Sequence, residues 1–454
     1  MLKMKKWNLP ANIVFLLLTI GLVSACADMT ERPKMKELIE VEYDRVRYFL
    51  NGLINVKDQD KESWYLLIGD DITKLSVPDS VTPWKMDKNC IWISDSNKKT
   101  GIMDLSGQIL LPCRYEMIKI YLEGKILESY ERTEEGLQRC IWDREGNKIY
   151  QIAHQSGNDI MVVSEDAFLV QENLDYFLID RHGKRILPAT YSKGDTSEES
   201  GYVALGDMSY VGKPGYKKIY KANGALAVEG EFEFVEFTGQ ADYPFLARRN
   251  EDDDFYLITS EGEPLLTDYA VHTNAETLYP LSKNLFYYRN ENTQSILDAD
   301  GAVLHTSSYG TDADGRYPVG WMNFAKNDYG LLYGDNRWIL IDAEGRERMK
   351  DKIQNEDIVL YRGGSLLMTY DADSCRIYHL ETENCIYEDG KEKTPSVLNS
   401  YFALMENEEY RIFDKKGNEI IALPGKVKEV HETDNWVLAI VEEDEKQGLY
   451  GLKQ

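Results

Sequence analysis

The chain predicts an all-β fold: a β-propeller-like ring of about 9–10 four-stranded repeats with a period near 39 residues, preceded by one N-terminal amphipathic helix. Three observations carry this expectation. Eight glycines, Gly107, Gly146, Gly183, Gly224, Gly262, Gly301, Gly345 and Gly417, recur at intervals of 39, 37, 41, 38, 39, 44 and 72 residues, the last being two periods. Each closes the turn of one phrase, in which an apolar run meets Asp-x-x-Gly and a second apolar run follows. No long helical pattern falls inside a period, and about 40 residues is the length of one four-stranded blade.

The phrase is clearest at Ile102–Pro112 and Phe177–Pro188, and it returns at Trp338–Gly345 and Ile412–Ile421. Strand, tight turn, strand is how a hairpin is written. Asp can accept hydrogen bonds from amides within the turn, and Gly reaches positive φ without steric cost. Asp104, Asp143, Asp180, Asp298, Asp342 and Asp414 hold the first position, whereas Lys221, Thr259 and His379 replace it elsewhere. A turn tolerates such exchange more readily than a metal or catalytic site, so the Asp column reads as structural. In the skipped unit Ile377–Glu383 stands where the glycine turn belongs, with Ile386 and Tyr387 following.

These residues resemble the bacterial WG-repeat (KWG) proteins, whose unit runs aromatic, Gly, apolar, Ile, Asp, x, x, Gly, then apolar residues, Pro and Tyr. Gly101, Asp104, Gly107, Pro112 and Tyr115 match it, as do Asp180, Gly183, Pro188 and Tyr191. Tyr329-Gly330 and Tyr450-Gly451 supply the aromatic-Gly pair. Several units lack the Gly before the strand, and most lack the Pro. The resemblance covers roughly residues 64–454. It implies a β-rich repeat architecture and brings no catalytic residues, because its motif consists of turn and core positions.

At the amino end Lys3, Lys5 and Lys6 precede an apolar stretch from Ala11 to Val23, and Leu22-Val23-Ser24-Ala25-Cys26 follows. This looks like a lipobox: residues 1–25 read as a lipoprotein signal peptide and Cys26 as the lipid-bearing (palmitate-type) first residue of an extracytoplasmic, membrane-anchored chain. The apolar run is shorter than the ~20 residues a spanning helix needs. Residues 26–63 read as a tether plus a helix over Pro33–Lys57, in which Met35, Leu38, Ile39, Val46, Phe49, Leu50, Leu53 and Ile54 recur at three- and four-residue spacing. That helix is expected to cap the repeat domain, taken as 64–454.

For ring closure, Trp436–Gly451 offers the first three strands of a last unit and Trp64–Val77 a fourth. Joining the ends leaves no bare edge.

Lys and Arg total 52 against 78 Asp and Glu, a net charge of -26. Such a balance disfavours nucleic acid or anionic headgroups as partners and suits cationic peptides, metal ions, or simple solubility. The acidic runs Glu251–Asp254 and Glu442–Glu445 lie between predicted strands and read as solvated hairpin loops. Asp298, Asp300 and Gly301, and Asp312, Asp314 and Gly315, carry part of a calcium loop without its full spacing or distal Glu, so no metal is assigned. His154, His182, His272, His305, His379 and His431 fall in different units and form no ligand pair. No nucleophile elbow or phosphate loop is present; no catalytic residue and no cofactor is assigned.

Two classes of function remain: a binding or scaffold lipoprotein that holds a protein, peptide or glycan, and a secreted carbohydrate-active enzyme on a propeller. The least repetitive stretches are Tyr191–Tyr216 and Ser307–Tyr329. In the second, Tyr309, Arg316, Tyr317, Trp321 and Phe324 form an aromatic set with one Arg, suited to stacking on a sugar or gripping a peptide, with loop packing as the alternative. Once Cys26 is set aside, five cysteines are left, of which Cys375 and Cys385 flank the degraded turn as a candidate cross-strand disulfide; buried free thiols are the other reading.

Overall fold

The computed structural model describes residues 35–453 except 88, 198, 208–214, 240–241, 250–253, 270–276, 291, 309–328, 336, 355–357, 362–363, 372, 391–394, 399, 408, 421–422, 424 and 434. Within them the chain forms eleven antiparallel sheets of three or four strands, arranged as an eleven-bladed β-propeller. Blades 1–10 follow the chain in order, at 45–75, 82–115, 117–153, 159–180, 193–232, 234–265, 277–308, 329–348, 358–390 and 396–414. Blade 11 is composite: Lys426–Glu432, Trp436–Glu443 and Lys446–Lys453 pair in sequence, and Lys36–Tyr43 from the other end of the chain adds the fourth strand.

Two expectations are corrected here. No helix forms over 33–57: the described part, from Met35, gives the strands Lys36–Tyr43, Arg45–Phe49 and Leu53–Asp58, with a single 3-10 turn at Leu50–Gly52. The apolar residues that fit a helical stripe also fit alternation, with Ile39, Val41 and Tyr43 parted by the exposed Glu40 and Glu42. The decisive local signal is Asn51-Gly52, both at positive φ (68° and 96°), a hairpin dipeptide that no helix interior accommodates. Closure is therefore made by Lys36–Tyr43, and Trp64–Val77 instead belongs to the third and fourth strands of blade 1, Lys61–Ile68 and Asp71–Leu75. Reading 35–58 as strands also explains why the count is eleven and not 9–10.

All eight turn glycines have positive φ, between 74° and 93°. They also sit against the preceding blade. A Cβ on Gly417 would lie 2.7 Å from the Ile386 carbonyl oxygen, and one on Gly183 2.9 Å from that of Ile149. Real side chains almost never come so close, so glycine is required both by the turn and by blade-to-blade docking.

The core lies between facing blades. Ile141 and Ile152 of blade 3 pack on Ile160, Val162, Phe168 and Phe177 of blade 4. The closure is packed in the same way: Ile39, Trp436, Leu438 and Leu449 of blade 11 meet Val46, Ile54 and Val56 of blade 1. Middle strands are nearly continuous buried runs, such as Trp436–Val441, while fourth strands such as Asn384–Gly390 are mostly exposed. That gradient places the fourth strands on the rim. Polar contacts finish the seam: the Tyr450 hydroxyl donates to Glu37 Oε1 (2.9 Å), the Val46 amide to Gln447 Oε1 (2.9 Å) and Trp436 Nε1 to the Gly69 carbonyl (2.6 Å). Among the described residues, no helix is long and apolar enough to cross a membrane.

Candidate binding faces

Successive hairpins put turns alternately on two faces of the ring. The second-to-third-strand turns share one face. Their residues include Asp58 and Asp60, Glu134 and Glu135, Asp371 and Asp373, and Glu443, Asp444 and Glu445, and most of these are solvent-exposed. The run at 442–445 is thus part of a hairpin turn, as expected, and Asp254 lies just ahead of the third strand of blade 6, Tyr256–Ile258.

The third-to-fourth-strand turns occupy the opposite face, and their carboxylates are committed to the backbone. Asp180 Oδ1 accepts the amides of His182 (2.8 Å) and Lys184 (2.9 Å). Asp414 does the same with Lys416 and Asn418 (both 2.8 Å), and Asp298 with Asp300 (2.9 Å) and Ala302 (2.8 Å). The amide bonds from Lys184 and His182 hold the Asp180 carboxyl below the ordinary Asp range. Where the Asp is missing another side chain substitutes: Thr259, at the Asp position itself, accepts the Glu263 amide on Oγ1 (3.2 Å), and Asn223, two residues after Lys221, accepts that of Ala225 on Oδ1 (3.0 Å). The Asp column is a repeated turn device. Among the described residues, no group of His, Cys, Asp and Glu is arranged to hold a metal ion.

Tyr309, Arg316, Tyr317, Trp321 and Phe324 lie outside the described residues, as does Cys26. What is described is where the 309–328 segment is held. Ser308 ends the last strand of blade 7 and Tyr329 begins the first described strand of blade 8. Reciprocal bonds join Ser308 to Asp335: the Ser308 amide donates to Asp335 Oδ1 (2.8 Å) and the Asp335 amide to Ser308 Oγ (3.0 Å). The first of these lowers the Asp335 carboxyl pKa. Beside this latch His305 is half-buried, burial pushes its imidazole below the usual His value, and the Arg337–Glu347 ion pair stands nearby.

Cys375 and Cys385 are not paired. Strand register sets Cys375 opposite Asp389 and Cys385 opposite Tyr378, and both thiols are free, Cys375 buried and Cys385 exposed. A bulge between Ile377 and Tyr378 shifts the ladder.

One polar centre was not anticipated from the sequence. Between blades 3 and 4 the fully buried Glu128 carboxylate pairs with the Arg139 guanidinium, which also binds Asp159 and donates to the Ile160 carbonyl (2.5 Å). The Tyr121 hydroxyl completes it by donating to Glu128 (2.6 Å). The available signal was a Glu and an Arg at inward positions of otherwise apolar strands. Fully satisfied, such a network serves to fix the docking of two blades.

Among the described residues, cavities open between blades, at two places in particular. One, about 210 Å³, lies between blades 3 and 4 on the Asp-x-x-Gly face, with Lys125, Arg144 and Arg181 among Asp143, Glu145 and Glu165; its charges are largely internal, Lys125 bonding Glu165 at 2.6 Å. The other, about 310 Å³, is mostly apolar and lies between blades 5 and 6.

Comparison with known proteins finds one local repeat match and a set of similar folds. Residues 33–61 match the WG containing repeat, within the segment that forms the closing strand and the first hairpin of blade 1. No curated protein matches the sequence. Among solved structures, the chain is similar to a eukaryotic initiation factor (14% identity, 73% of this chain and 96% of that one, TM-score 0.41). It is also similar to BamB from Moraxella catarrhalis (12% identity, 92% and 99%, TM-score 0.22) and to the dihydro-heme d1 dehydrogenase NirN (13%, 69% and 75%, TM-score 0.29). At these scores none transfers a function. The repeat match covers a small part of the chain, and the remaining blades are shown by their strand pairing alone.

Proposed function

We propose that this protein is an extracytoplasmic lipoprotein, anchored through Cys26, that acts as a binding or scaffold module for a protein, peptide or glycan. The observation that carries the reading is that the repeated polar positions are already committed. The Asp column bonds its own turn amides, so the motif that defines the repeat serves folding, and recognition falls to residues outside it. The least repetitive stretch, with Tyr309, Arg316, Tyr317, Trp321 and Phe324, falls in the sequence between the last strand of blade 7 and the first described strand of blade 8. An aromatic set with one Arg suits stacking on a sugar ring or gripping a peptide. The alternative, a carbohydrate-active enzyme, rests on the versatility of the fold alone.

Anchoring is tested by detergent partitioning of the wild type and Cys26→Ala: the wild type enters the detergent phase and the variant remains aqueous. Binding is tested by pull-downs and glycan arrays with Trp321→Ala and Arg316→Ala, each checked for folding. Loss of a partner supports the loop; retention of every partner by both variants removes it. Turnover of a polysaccharide by the wild type would overthrow the non-enzymatic reading.

A further inference from the structure

The fourth strand of blade 6 is only Pro264–Leu265, against seven residues, Leu226–Phe232, in the fourth strand of blade 5. Proline cannot donate to a ladder, and two residues cannot fill the space beside the longer neighbour. The result is the cavity of about 310 Å³ between the blades. Phe232, Ala247, Ile258 and Pro264 give it an apolar floor, and Arg249 and Tyr256 stand at its edge.

Arg249 differs from the residue beside it. Arg248 turns to the other side of its strand and pairs with Glu233 at 3.4 Å. Arg249 is exposed and has no ion-pair partner among the described residues; its guanidinium lies 5.7 Å from the Phe232 ring centroid. It also passes over Gly230, with Cζ 3.7 Å from where a side chain there would begin, an ordinary contact distance. A cation with no carboxylate partner among the described residues, in a chain of net charge -26, fronts an apolar pocket at the small end of ligand-site volumes.

We infer that this cleft is a binding site for an apolar carboxylate, with the acid on Arg249 and an aromatic or branched aliphatic group over Phe232, Ala247 and Ile258. Guanidinium binds carboxylate through two parallel N–H donors, a geometry that an ester or amide does not reproduce. The same chemistry is presented by a free acid and by the C-terminus of a polypeptide ending in an apolar residue. This site is distinct from the 309–328 segment and does not depend on the lipid anchor.

The test is calorimetric titration of the full-length protein with 3-phenylpropionate, 3-phenylpropanamide, and a short peptide ending in Phe with a free or an amidated C-terminus. The acid is expected to bind saturably, the amide at least about tenfold more weakly. Arg249→Ala should weaken the acid by a similar factor, Arg249→Lys should recover part of it, and Ala247→Leu, which fills the floor, should abolish it. A free-acid peptide binding more tightly than phenylpropionate assigns the site to polypeptide ends; the reverse assigns it to small acids. Equal binding of acid and amide, undiminished binding by Arg249→Ala, or no saturable binding up to about 10 mM, a level that would already correspond to under 4 kcal/mol, overturns the proposal. The two probes need no variant, so a misfolded mutant leaves the test intact.

Discussion

Within a single turn, Asp180 and Gly183 contribute unequally. The Asp180 carboxylate accepts two amides at the surface. Asp180→Ala returns those amides to water and should cost about 1 kcal/mol or less. Gly183→Ala must hold φ near 74° and push a methyl toward a carbonyl oxygen 2.9 Å away. It should cost more, about 1–3 kcal/mol. Urea denaturation of the two variants checks the order. The carboxylates also set an acid limit. Asp180, Asp335 and Asp371 all have lowered pKa values in the folded chain, with amide donation the leading cause. A group whose folded pKa is depressed adds stability above its unfolded pKa, near 4, and loses it as pH falls through the folded value. Melting temperature should therefore hold from pH 7 to about 5 and decline below about 4; an unchanged melt at pH 3 would remove these turns as a source of stability.

The strands and hairpins around these turns were legible in the sequence wherever a glycine and an apolar run repeated, because a tight turn needs positive φ and few residues supply it. Blades 2–10 follow from that rule. The skipped unit illustrates its reach: without glycine, Glu383 itself adopts φ 55° and the hairpin still forms. The N-terminal strands escaped because a stretch with an apolar residue at every second or third position satisfies two periodicities, and only Asn51-Gly52 distinguishes them. Of the candidate site, the turn role of the Asp column was readable from its tolerance of Lys, Thr and His. The Glu128–Arg139 centre and the cleft at Arg249 were not, since the first depends on cross-strand pairing in blade 3 and on contacts to Asp159 and Ile160 of blade 4, and the second on the packing of blades 5 and 6. The closing strand yields a prediction for this scale. Deleting 36–43 strips the outer strand from blade 11 and uncovers Leu449 and the unpaired edge of Lys446–Lys453. It should lower the melting temperature of the entire domain, as should removal of 440–454; Ile39→Ala alone should cost about 2–4 kcal/mol. A truncation that melts like the full chain would describe an open solenoid that sheds end units piecemeal.

At the scale of the whole molecule, the composite blade settles where the chain leaves the ring. In the four-stranded blades 1–3, 5–7 and 9 the connection from third to fourth strand is a short turn; in blade 11 the third strand ends at Lys453 and the fourth begins at Lys36, so no such turn joins them. Both ends therefore emerge on the Asp-x-x-Gly side of the disc. Ten residues separate Cys26 from Lys36, an extended reach of at most about 35 Å. On the proposed anchoring, the ring would be joined to the lipid from this side. The Asp-x-x-Gly turns would then be the nearer side and the second-to-third-strand turns the farther one, so the two faces of the ring would meet different surroundings.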